Sequence, residues 1–403
     1  MTKIIIIGGG AAGFFAAITI AEANPKAEVI ILEKGKNILQ KVKISGGGRC
    51  NVTHACFDPR ELVEFYPRGK RELLGPFHQF MTGDTMEWFE NRGVPLKIED
   101  DNRVFPESNS SQSIIDCFTS AAENAGVKVL LNQNVSTVVK KEHQFEINTN
   151  TETFIADKLL IAAGSNPKVW ELVKPLGHSI IEPVPSLFTF NINDNRIKDI
   201  PGISVPNATI KIVGSKLESS GPLLITHWGL SGPAILKLSS FGARLLADKN
   251  YQYNVEINWL SKSTEKVLQI LKSIKEKDSK KQVVIRSQFS DISKRLWEKL
   301  VLASDIRFDA RWADLSKKQL QYLADQLTKC QFNANGKSTF KDEFVTSGGI
   351  NLKEIDFKRF ESKFHKNLFF AGEVLDIDAV TGGFNFQNAW TGGFISGNAM
   401  AEK

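Results

Sequence analysis

The stretch 3-KIIIIGGGAAGFFAAITIAEANPKAEVIILEKG-35 decides the fold, because it predicts a strand, a tight turn, a helix and a second strand in succession. The first strand, Lys3–Ile7, is almost entirely isoleucine, which is typical of a strand buried on both faces. The glycines at 8, 10 and 13 have the GxGxxG spacing. In that motif the first glycine allows a sharp turn, the second lets a diphosphate approach the backbone, and the third lets the helix pack on the strand. The pattern predicts an α/β, Rossmann-like domain that binds a nucleotide at the helix N-terminus.

The acidic residue after the second predicted strand, Val29–Leu32, indicates the kind of nucleotide. Glu33 follows Gly13 by twenty residues, the spacing at which a carboxylate accepts hydrogen bonds from both ribose hydroxyls of an adenosine. A carboxylate at this position favours a ribose without a 2′-phosphate. The sequence therefore predicts FAD or NAD rather than NADP.

Further glycine-rich segments distinguish FAD from NAD. The segment 44-ISGGGRCN-51 follows the second strand, and another predicted strand ends at 162-AAG-164. The chain finishes with 371-AGEVLDIDAVTGGFNFQNAWTGGFISG-397, after a predicted strand at 367–370. An NAD-binding unit would continue into another helix and strand, whereas backbone-rich loops can follow a longer ligand such as FAD. No second GxGxxG occurs in the sequence, so NAD(P)H is expected at most as a transient electron donor.

Length and composition are those of a globular protein with two or three domains. The chain has 403 residues, of which 42% are hydrophobic and 24% charged. No apolar run approaches the roughly 20 residues that span a bilayer. The four cysteines lack the CxxC spacing of a zinc site and the density of a disulfide scaffold. We therefore expect no bound metal, no membrane partner and a reducing, cytoplasmic location.

The sequence texture changes between residues 191 and 342, which predicts an insert in the nucleotide-binding domain. We expect the FAD-binding domain to comprise 1–190 and 343–403, with a β-rich subdomain at 191–260 and a mainly helical subdomain at 261–342. Alternating runs such as 251-YQYNVEINW-259 predict strands. Helices are predicted at 261–277, 291–304 and 315–329, the last two capped by Asp291 and Ser316. In 226-THWGLSGPA-234, Ser231 is predicted to cap a further helix.

The charge of the insert leaves two interpretations open. Lys262–Lys299 holds 11 basic residues against 5 acidic ones, in a chain whose net charge is +6. Such a run is commonly a solvated helical face. It is also what a surface for a polyanion requires, so contact with ribosomal RNA is a second interpretation.

Together these segments resemble two-dinucleotide-binding-domain flavoproteins, and more narrowly the HI0933-like family. The shared motifs are GGGAAG at 8–13, ISGGGRCN at 44–51, VFPES at 104–108, THWGLSGPA at 226–234, TSGGI at 346–350 and the C-terminal stretch. They are spread over essentially the whole chain. The sequence departs from the family at Ala379 and Val380, where a Gly-Asp or Gly-Asn type of turn is common.

The resemblance implies an extended FAD and a discontinuous FAD-binding domain. The N-terminal glycine motif and acid would hold the adenosine half, and the end of the chain would hold the ribityl and isoalloxazine half. A helix starting near Gln387 would direct its N-terminus at the flavin N1–C2=O edge. The cofactor-binding residues implied are Gly8, Gly10, Ala11, Ala12, Gly13, Glu33, Lys34, Ser45, Gly46, Gly47, Arg49, Cys50, Asn51, Val135, Ala163, Gly164, Gly372, Glu373, Asp376, Asn385, Phe386 and Gln387.

The C-terminal stretch mixes packing residues with candidate ligands. The aromatic residues Phe384, Phe386 and Trp390 are predicted to be mainly core. The glycines at 392, 393 and 397 are predicted to allow close helix packing. Asn385 and Gln387 are predicted to contact the isoalloxazine, because buried amides need hydrogen-bond partners.

The resemblance also implies an oxidoreductase in which flavin supplies the hydride chemistry. Relatives are associated with reduction of an electron-poor C=C bond conjugated to a carbonyl, including uracil in ribosomal RNA, and with oxidation of small amines. Reduction of such a bond needs an acid to protonate the α-carbon, and the candidates are Cys50 and His227. Three classes remain open: an ene-reductase acting on uridine in RNA, a small-molecule amine oxidase or reductase, and a flavin-binding protein without turnover.

Overall fold

The computed structural model describes residues 1–338 and 345–402. It divides into two compact units, one formed by Met1–Val184 with Val345–Lys403 and the other by Pro185–Phe344. The first unit is thus assembled from both ends of the chain. The predicted boundary at 342–343 lies outside the described residues, and the division of the insert at residue 260 stays a prediction.

The chain begins with a strand, a helix and a strand, and continues with strands and helices in short runs. The strands, in chain order, are β1 (Lys3–Ile7), β2 (Glu28–Leu32), β3 (Thr53–His54), β4 (Leu96–Ile98), β5 (Arg103–Pro106), β6 (Lys128–Leu130), β7 (Val135–Lys140), β8 (Phe145–Thr149), β9 (Thr153–Ala156), β10 (Lys158–Ile161), β11 (Ile180–Ser186), β12 (Thr189–Asn191), β13 (Ser204–Ile212), β14 (Glu218–Ile225), β15 (Gly229–Ser231), β16 (Gln252–Asn258), β17 (Cys330–Asn335), β18 (Lys337–Ser338), β19 (Val345–Ile350), β20 (Ile355–Asp356), β21 (Glu361–Ser362) and β22 (Leu368–Phe370). The helices are α1 (Ala11–Ala23), α2 (Gln40–Gly48), α3 (Pro59–Leu62), α4 (Lys70–Phe77), α5 (Thr82–Glu90), α6 (Ser111–Asn124), α7 (Pro167–Val173), α8 (Pro233–Phe241), α9 (Ala243–Asp248), α10 (Thr264–Lys277), α11 (Lys294–Leu302), α12 (Lys317–Thr328) and α13 (Phe384–Ala401). Within residues 1–338 and 345–402, no helix has the length and apolar character needed to cross a bilayer.

The first unit is built on a sheet whose central strands are parallel. Its order is β20-β21-β22-β10-β1-β2-β6, in which the five strands from β22 to β6 are parallel and β20–β21 form an antiparallel edge. Residues Ile4, Ile5 and Ile6 of β1 are completely buried, as expected for a strand covered on both faces. β1 has β2 on one side and β10 on the other, so the winding of the chain reverses at its carboxyl end. Open α/β sheets bind their ligands at such a point.

Helices α1 and α13, from opposite ends of the chain, pack directly on each other. A Cβ atom at Gly393 would lie 2.8 Å from the carbonyl oxygen of Ala12, and one at Gly397 would lie 2.8 Å from the Cβ of Thr19. Any side chain at these two positions would force the helices apart. The predicted role of these glycines in close helix packing is therefore confirmed.

The second unit contains an antiparallel sheet that closes on itself. The strand order is β17-β16-β13-β14-β15-β12-β18. The two outermost strands, β17 and β18, are successive parts of one segment, separated by Gly336 alone. One part of this segment pairs with β16 and the other with β12, so among the described residues it links the two ends of the sheet into a closed barrel. Helices α10, α11 and α12 enclose the same core, in which Trp259, Trp297 and Trp312 are buried.

Three predicted helix starts are corrected by the structure. α11 is capped by Ser293, whose Oγ accepts a hydrogen bond from the Leu296 N–H, and not by Asp291, which lies in the preceding turn. Ser231 does not cap α8, because it ends β15 and accepts a hydrogen bond from the Thr189 hydroxyl. α13 starts at Phe384 rather than near Gln387. The predicted cap of α12 by Ser316 is confirmed.

Candidate cofactor site

The carboxyl ends of the central parallel strands bring together glycine-rich segments that are far apart in sequence. The Gly8 N–H donates to the Leu32 carbonyl, which places the end of β1 beside the end of β2. The Ala371 N–H, just after β22, donates to the Ile161 carbonyl at the end of β10. A Cβ atom at Gly372 would lie 3.3 Å from the Cβ of Ala12 in the first turn of α1. The N-terminal and C-terminal motifs therefore meet at one edge of the sheet.

The three glycines of the GxGxxG motif have different surroundings. Gly8 has a φ of +114°, and a Cβ there would lie 2.6 Å from the Ala162 carbonyl oxygen. A Cβ at Gly13 would lie 2.1 Å from the Gly8 oxygen, so Gly13 is required for the contact between α1 and β1. At Gly10 a Cβ would meet no atom within 4 Å. The turn and packing roles predicted for Gly8 and Gly13 agree with these contacts, and the space beside Gly10 is open for a ligand to approach the backbone.

The backbone around this space offers hydrogen-bond donors. Gly10 is the N-cap of α1 and provides no side-chain cap. Among the described residues, the N–H groups of Ala11 and Ala12 have no acceptor, and the same holds for Gly372 and Glu373. Free N–H groups at a helix N-terminus, together with the positive end of the helix dipole, are suited to a phosphate group.

Glu33 lies at the second strand end, as the motif requires. Its two carboxylate oxygens accept hydrogen bonds from the Gly9 N–H at 2.9 Å and the Gly35 N–H at 2.8 Å. These bonds hold the carboxylate in a fixed position beside the first turn. Because each carboxylate oxygen can accept more than one hydrogen bond, Glu33 keeps acceptor capacity for ribose hydroxyls.

Glu373 is held in place by its neighbours on two other segments. Its carboxylate pairs with the Lys41 ammonium at 2.5 Å and accepts a hydrogen bond from the Ser165 hydroxyl at 3.4 Å. A Cβ at Gly164 would lie 3.9 Å from the same carboxylate. The predicted residues Ala163 and Gly164, after β10, therefore lie beside the end of β22.

The second glycine-rich segment contacts the turn before α13. The chain leaves helical geometry at the end of α2, where Ser45 is extended and Gly46 and Gly47 have positive φ. With its amide oriented to suit its neighbours, Asn51 accepts a hydrogen bond from the Gly383 N–H at 3.0 Å and donates to the Thr53 carbonyl at 2.9 Å. The predicted cofactor residue Asn51 is buried, and its side chain holds this turn.

The two amides predicted to contact the isoalloxazine are bonded within the protein. Gln387 is completely buried, and its Oε1 accepts hydrogen bonds from the hydroxyls of Thr53 at 2.6 Å and Thr85 at 3.0 Å. Its Nε2 donates to the Thr391 hydroxyl at 3.1 Å. The side chain of Asn385 both accepts from the Ala379 N–H and donates to the Ala379 carbonyl. The partners that these amides need lie within the chain, and both side chains position the start of α13, so their contact with the isoalloxazine stays a prediction.

The start of α13 is another helix N-terminus without a side-chain cap. Gly383 has a φ of +94°, and a Cβ there would lie 2.5 Å from the Thr53 carbonyl oxygen. Only glycine fits this turn without strain. The helix that follows is 18 residues long and has no acidic residue in its first turn. Phe386 is half-buried and stacks on Trp390 with ring centroids 5.4 Å apart, in agreement with the predicted packing role of these rings.

The two candidate acids from the sequence, Cys50 and His227, lie in different settings. Cys50 is completely buried in the core, and burial raises the pKa of its thiol to about 12. Such a thiol neither reaches a substrate nor ionises readily, so Cys50 is not retained as a candidate. His227 is exposed in the tight turn between β14 and β15 of the second unit, and its role stays a prediction.

The remaining predicted cofactor residues have different surroundings. Arg49 pairs with Glu99 at 2.6 Å and covers the Phe105 ring. Asp376 is buried, with 7% of its surface exposed. Lys34 is exposed, and Val135 is the first residue of β7.

Sequence reasoning missed His54, which lies in β3 just after the second glycine segment. Its Nδ1 is 3.2 Å from the Gly382 carbonyl oxygen, and its ring is half-buried against Phe384 with centroids 4.5 Å apart. It lines a cavity of about 730 Å³. The available signal was a histidine three positions after Asn51, the end of the glycine-rich segment, where a lone histidine carries little weight.

An ion pair between distant segments was also missed. Asp378 is completely buried and pairs with Arg68, and the two residues form a backbone β-bridge. The pair ties the loop after β22 to the segment before α4. Pairing satisfies a buried carboxylate that would otherwise be strongly destabilising.

Comparison with known proteins gives a family match, two relatives and one solved structure. The model of the family described as HI0933-like protein Rossmann domain matches residues 2–399. The chain is 26% identical over 415 residues to 3-dehydro-bile acid delta(4,6)-reductase of Clostridium scindens, covering 100% of both chains. It is 28% identical over 409 residues to ribosomal RNA dihydrouridine synthase of Haemophilus influenzae, covering 97% of this chain and 96% of the relative. The solved 3-ketosteroid-delta4-(5alpha)-dehydrogenase of Rhodococcus jostii RHA1, in complex with 4-androstene-3,17-dione, shares the fold, with a TM-score of 0.52, 12% identity and coverage of 100% of this chain and 97% of that one.

Proposed function

The chain belongs to the HI0933-like Rossmann-domain family, and we propose that it is an FAD-dependent oxidoreductase that reduces a C=C bond conjugated to a carbonyl. One observation carries the FAD assignment. The open space beside Gly10 is bordered by free N–H groups from the first turn of α1 and from Gly372–Glu373. A diphosphate needs donors of this kind, and both ends of the chain supply them.

Different residues at the sheet edge would hold different parts of FAD. Glu33 would hold the adenosine ribose, and the N-terminus of α1 would hold the diphosphate, with Ala163–Gly164 and Gly372–Glu373 bordering it. Bound FAD would supply the hydride. The N-terminus of α13 would stabilise negative charge on the flavin, because its first-turn N–H groups have no side-chain cap.

The substrate class is supported by what two relatives share. One is named as a delta(4,6)-reductase of a 3-dehydro-bile acid and the other as a dihydrouridine synthase of ribosomal RNA. A 3-oxo steroid with double bonds at C4 and C6, and a uracil ring, both contain a C=C bond polarised by a carbonyl. Reduction delivers a hydride to the β-carbon and a proton to the α-carbon.

Two alternatives differ from this proposal in what they require. A small-molecule amine oxidase would remove a hydride from an amine substrate, and a flavin-binding protein without turnover would need no substrate. NAD(P)H is the electron donor that we propose for the reductase, bound transiently. Contact with ribosomal RNA through the basic residues of the second unit would suit a uridine substrate.

The test uses the flavin as its own indicator. Purified protein should carry a yellow, non-covalent flavin that heat releases as FAD. After anaerobic photoreduction, addition of 4-androstene-3,17-dione or uridine should restore the absorbance of oxidised flavin. Colourless protein that cannot be reconstituted would exclude FAD binding. If oxygen reoxidises the flavin and an added amine then reduces it again, the result would favour the amine oxidase over the reductase.

A further inference from the structure

The cavity at His54 is the feature of the first unit that the FAD assignment leaves unexplained. It has a volume of about 730 Å³. Aromatic side chains of Phe57 and Phe65 line it together with the imidazole of His54, and three carboxylates, Asp58, Glu61 and Glu64, lie around it. A concave space with aromatic side chains and a few polar groups is a common arrangement for a substrate pocket.

His54 lies directly beside the start of α13. Its Nδ1 is 3.2 Å from the Gly382 carbonyl oxygen, and the next residue, Gly383, is the N-cap of the helix. The ring is held by Phe384 at 4.5 Å and Phe65 at 5.7 Å between centroids. A side chain fixed on three sides keeps one orientation toward the cavity.

The hydrogen bond to Gly382 also fixes where the ring carries its proton. A carbonyl oxygen only accepts hydrogen bonds, so Nδ1 must carry a hydrogen in both the neutral and the charged ring. The proton that the ring can gain or lose is therefore the one on Nε2. Among the described residues Nε2 has no hydrogen-bond partner, and it is not one of the buried polar atoms that lack a partner. It is thus open to solvent or to a ligand.

We propose that Nε2 of His54 is the proton donor of the reaction and that the cavity beside it receives the conjugated carbonyl group of the substrate. This inference rests on the proposed function. A C–H bond forms at the β-carbon with the hydride electron pair, and the C=C electrons move onto the carbonyl oxygen as an enolate. The Nε2–H bond then breaks as the C–H bond at the α-carbon forms and the carbonyl is restored. The two electrons come from reduced flavin, and the neutral imidazole regains its proton from water.

The charged groups around the ring set when Nε2 is protonated. Burial is the largest effect and lowers the pKa of His54 from its usual 6.5, and Arg103 acts in the same direction. The Gly382 carbonyl and Asp101 oppose this change. Asp58, Glu61 and Glu64 line the cavity, and Cys56 beside them is a buried thiol whose pKa burial raises. The protonated ring is therefore the form present at acidic pH.

Two substitutions separate proton donation from positioning. In His54→Asn the side-chain amide can still donate to the Gly382 carbonyl, but Nε2 is lost. In His54→Gln an N–H remains near the Nε2 position, but the bond to Gly382 is lost. His143→Asn is the matched control, because His143 is exposed in the turn between β7 and β8.

The experiment measures single-turnover reoxidation of the photoreduced, FAD-loaded protein by 4-androstene-3,17-dione and, separately, by uridine, between pH 5 and pH 9. In the wild type and in His143→Asn the rate should fall as pH rises through the pKa of His54, below 6.5. Both His54 variants should react about 10²–10⁴-fold more slowly, with unchanged FAD content and no such pH dependence. Histidine NMR of the loaded protein supplies a readout that is independent of turnover. One ring should keep Nδ1 protonated and titrate below pH 6.5, and its signals should vanish in His54→Asn.

The outcomes are distinct. A neutral ring with its proton on Nε2, or a His54→Asn variant with the wild-type rate and pH profile, would overturn the role of His54 while FAD binding stands. A slow His54→Gln beside a normal His54→Asn would show positioning through Gly382 and would also overturn proton donation. Wild-type protein that binds no FAD, or that neither probe reoxidises, would remove the proposed function and the role of His54 with it.

Discussion

Replacing Gly10 with valine is expected to weaken FAD binding strongly and leave the apoprotein folded. Gly10 has an extended backbone, with φ −98° and ψ −168°, that any residue can adopt, and a Cβ there would meet no atom within 4 Å. The valine side chain would therefore occupy the open space beside the first turn of α1 without striking the protein. In the proposed complex that space belongs to the diphosphate.

The size of the effect follows from the hydrogen bonds that would be lost. Displacing the diphosphate would remove at least two bonds from the first-turn N–H groups of α1, each worth about 1.5–3 kcal/mol with a charged acceptor. A loss of about 3–6 kcal/mol weakens the Kd of FAD by roughly 10²–10⁴-fold. Stability of the apoprotein should change by less than about 1 kcal/mol, because a poorer N-cap residue and a less flexible unfolded chain act in opposite directions.

The assay is titration of apoprotein with FAD, followed by flavin fluorescence, together with urea unfolding of the same samples. Gly83→Val is the control, since Gly83 also faces open space but lies on α5. Gly13→Ala is the opposite case, because its Cβ would lie 2.1 Å from the Gly8 oxygen and should destabilise the apoprotein. Wild-type FAD affinity in Gly10→Val would refute the placement of the diphosphate at this helix end.

Three further results are expected. Deletion of Gly372–Lys403 should abolish FAD binding although GxGxxG remains, and FAD retained by the truncated protein in an absorbance spectrum would show that the N-terminal part suffices. Burial lowers the pKa of His178 below its usual 6.5, so the folded state binds this proton less tightly than the unfolded state does. The contribution of His178 to the free energy of unfolding should therefore be complete above pH 6.5 and should be lost as pH falls below it. Urea titration should show a smaller decrease between pH 7.5 and pH 5.5 for His178→Gln than for the wild type. Equal decreases in the two proteins would contradict this. If the insert binds RNA, charge reversal of four exposed lysines should weaken RNA binding and reduce its salt dependence without changing the FAD content. RNA binding that does not change between two salt concentrations in a filter assay would exclude the contact. The four are Lys272, Lys280, Lys281 and Lys294. Lys275 is left out of this set because it donates to the Leu315 carbonyl.

Local sequence patterns were sufficient wherever the structure depends on neighbouring residues. The run of isoleucines and the GxGxxG spacing predicted β1 and α1, because burial on both faces and the tight turn are properties of that segment alone. The choice between two capping residues depended on a turn that the sequence pattern did not indicate. Asp291 and Ser293 both suit an N-cap, but the hydrogen bond from the Ile292 N–H to the Phe289 carbonyl keeps the chain in a turn past Asp291.

The candidate site depends even more on contacts that the local sequence does not indicate. The rule that buried amides need partners was sound for Gln387, but its partners are Thr53 and Thr85, which lie 334 and 302 residues away. Nothing in the sequence near Gln387 indicates those contacts, so a ligand was the simpler expectation. His54 was missed for the same reason, since its importance depends on Gly382, 328 residues away. The closure of the second sheet through the β17–β18 segment likewise depends on the register of all its strands.

The position of β22 and α13 has a consequence for how the protein is made. Between Ile161 at the end of β10 and Leu368 at the start of β22 the chain runs for 207 positions. At about 5–20 residues per second, a ribosome needs roughly 10–40 s for that distance. Throughout this interval β10 has an unpaired edge, and the face of α1 that Gly393 and Gly397 will cover is exposed to water.

An open parallel edge is a template for pairing with another chain. The second unit closes its barrel with Cys330–Ser338, before β22 is synthesised, so it can fold while the first unit waits. We expect cofactor capture to follow release of the finished chain, and nascent chains arrested before Leu368 to aggregate more readily than full-length chains. The time between synthesis of the two halves of the sheet is then the period in which this protein most needs a chaperone.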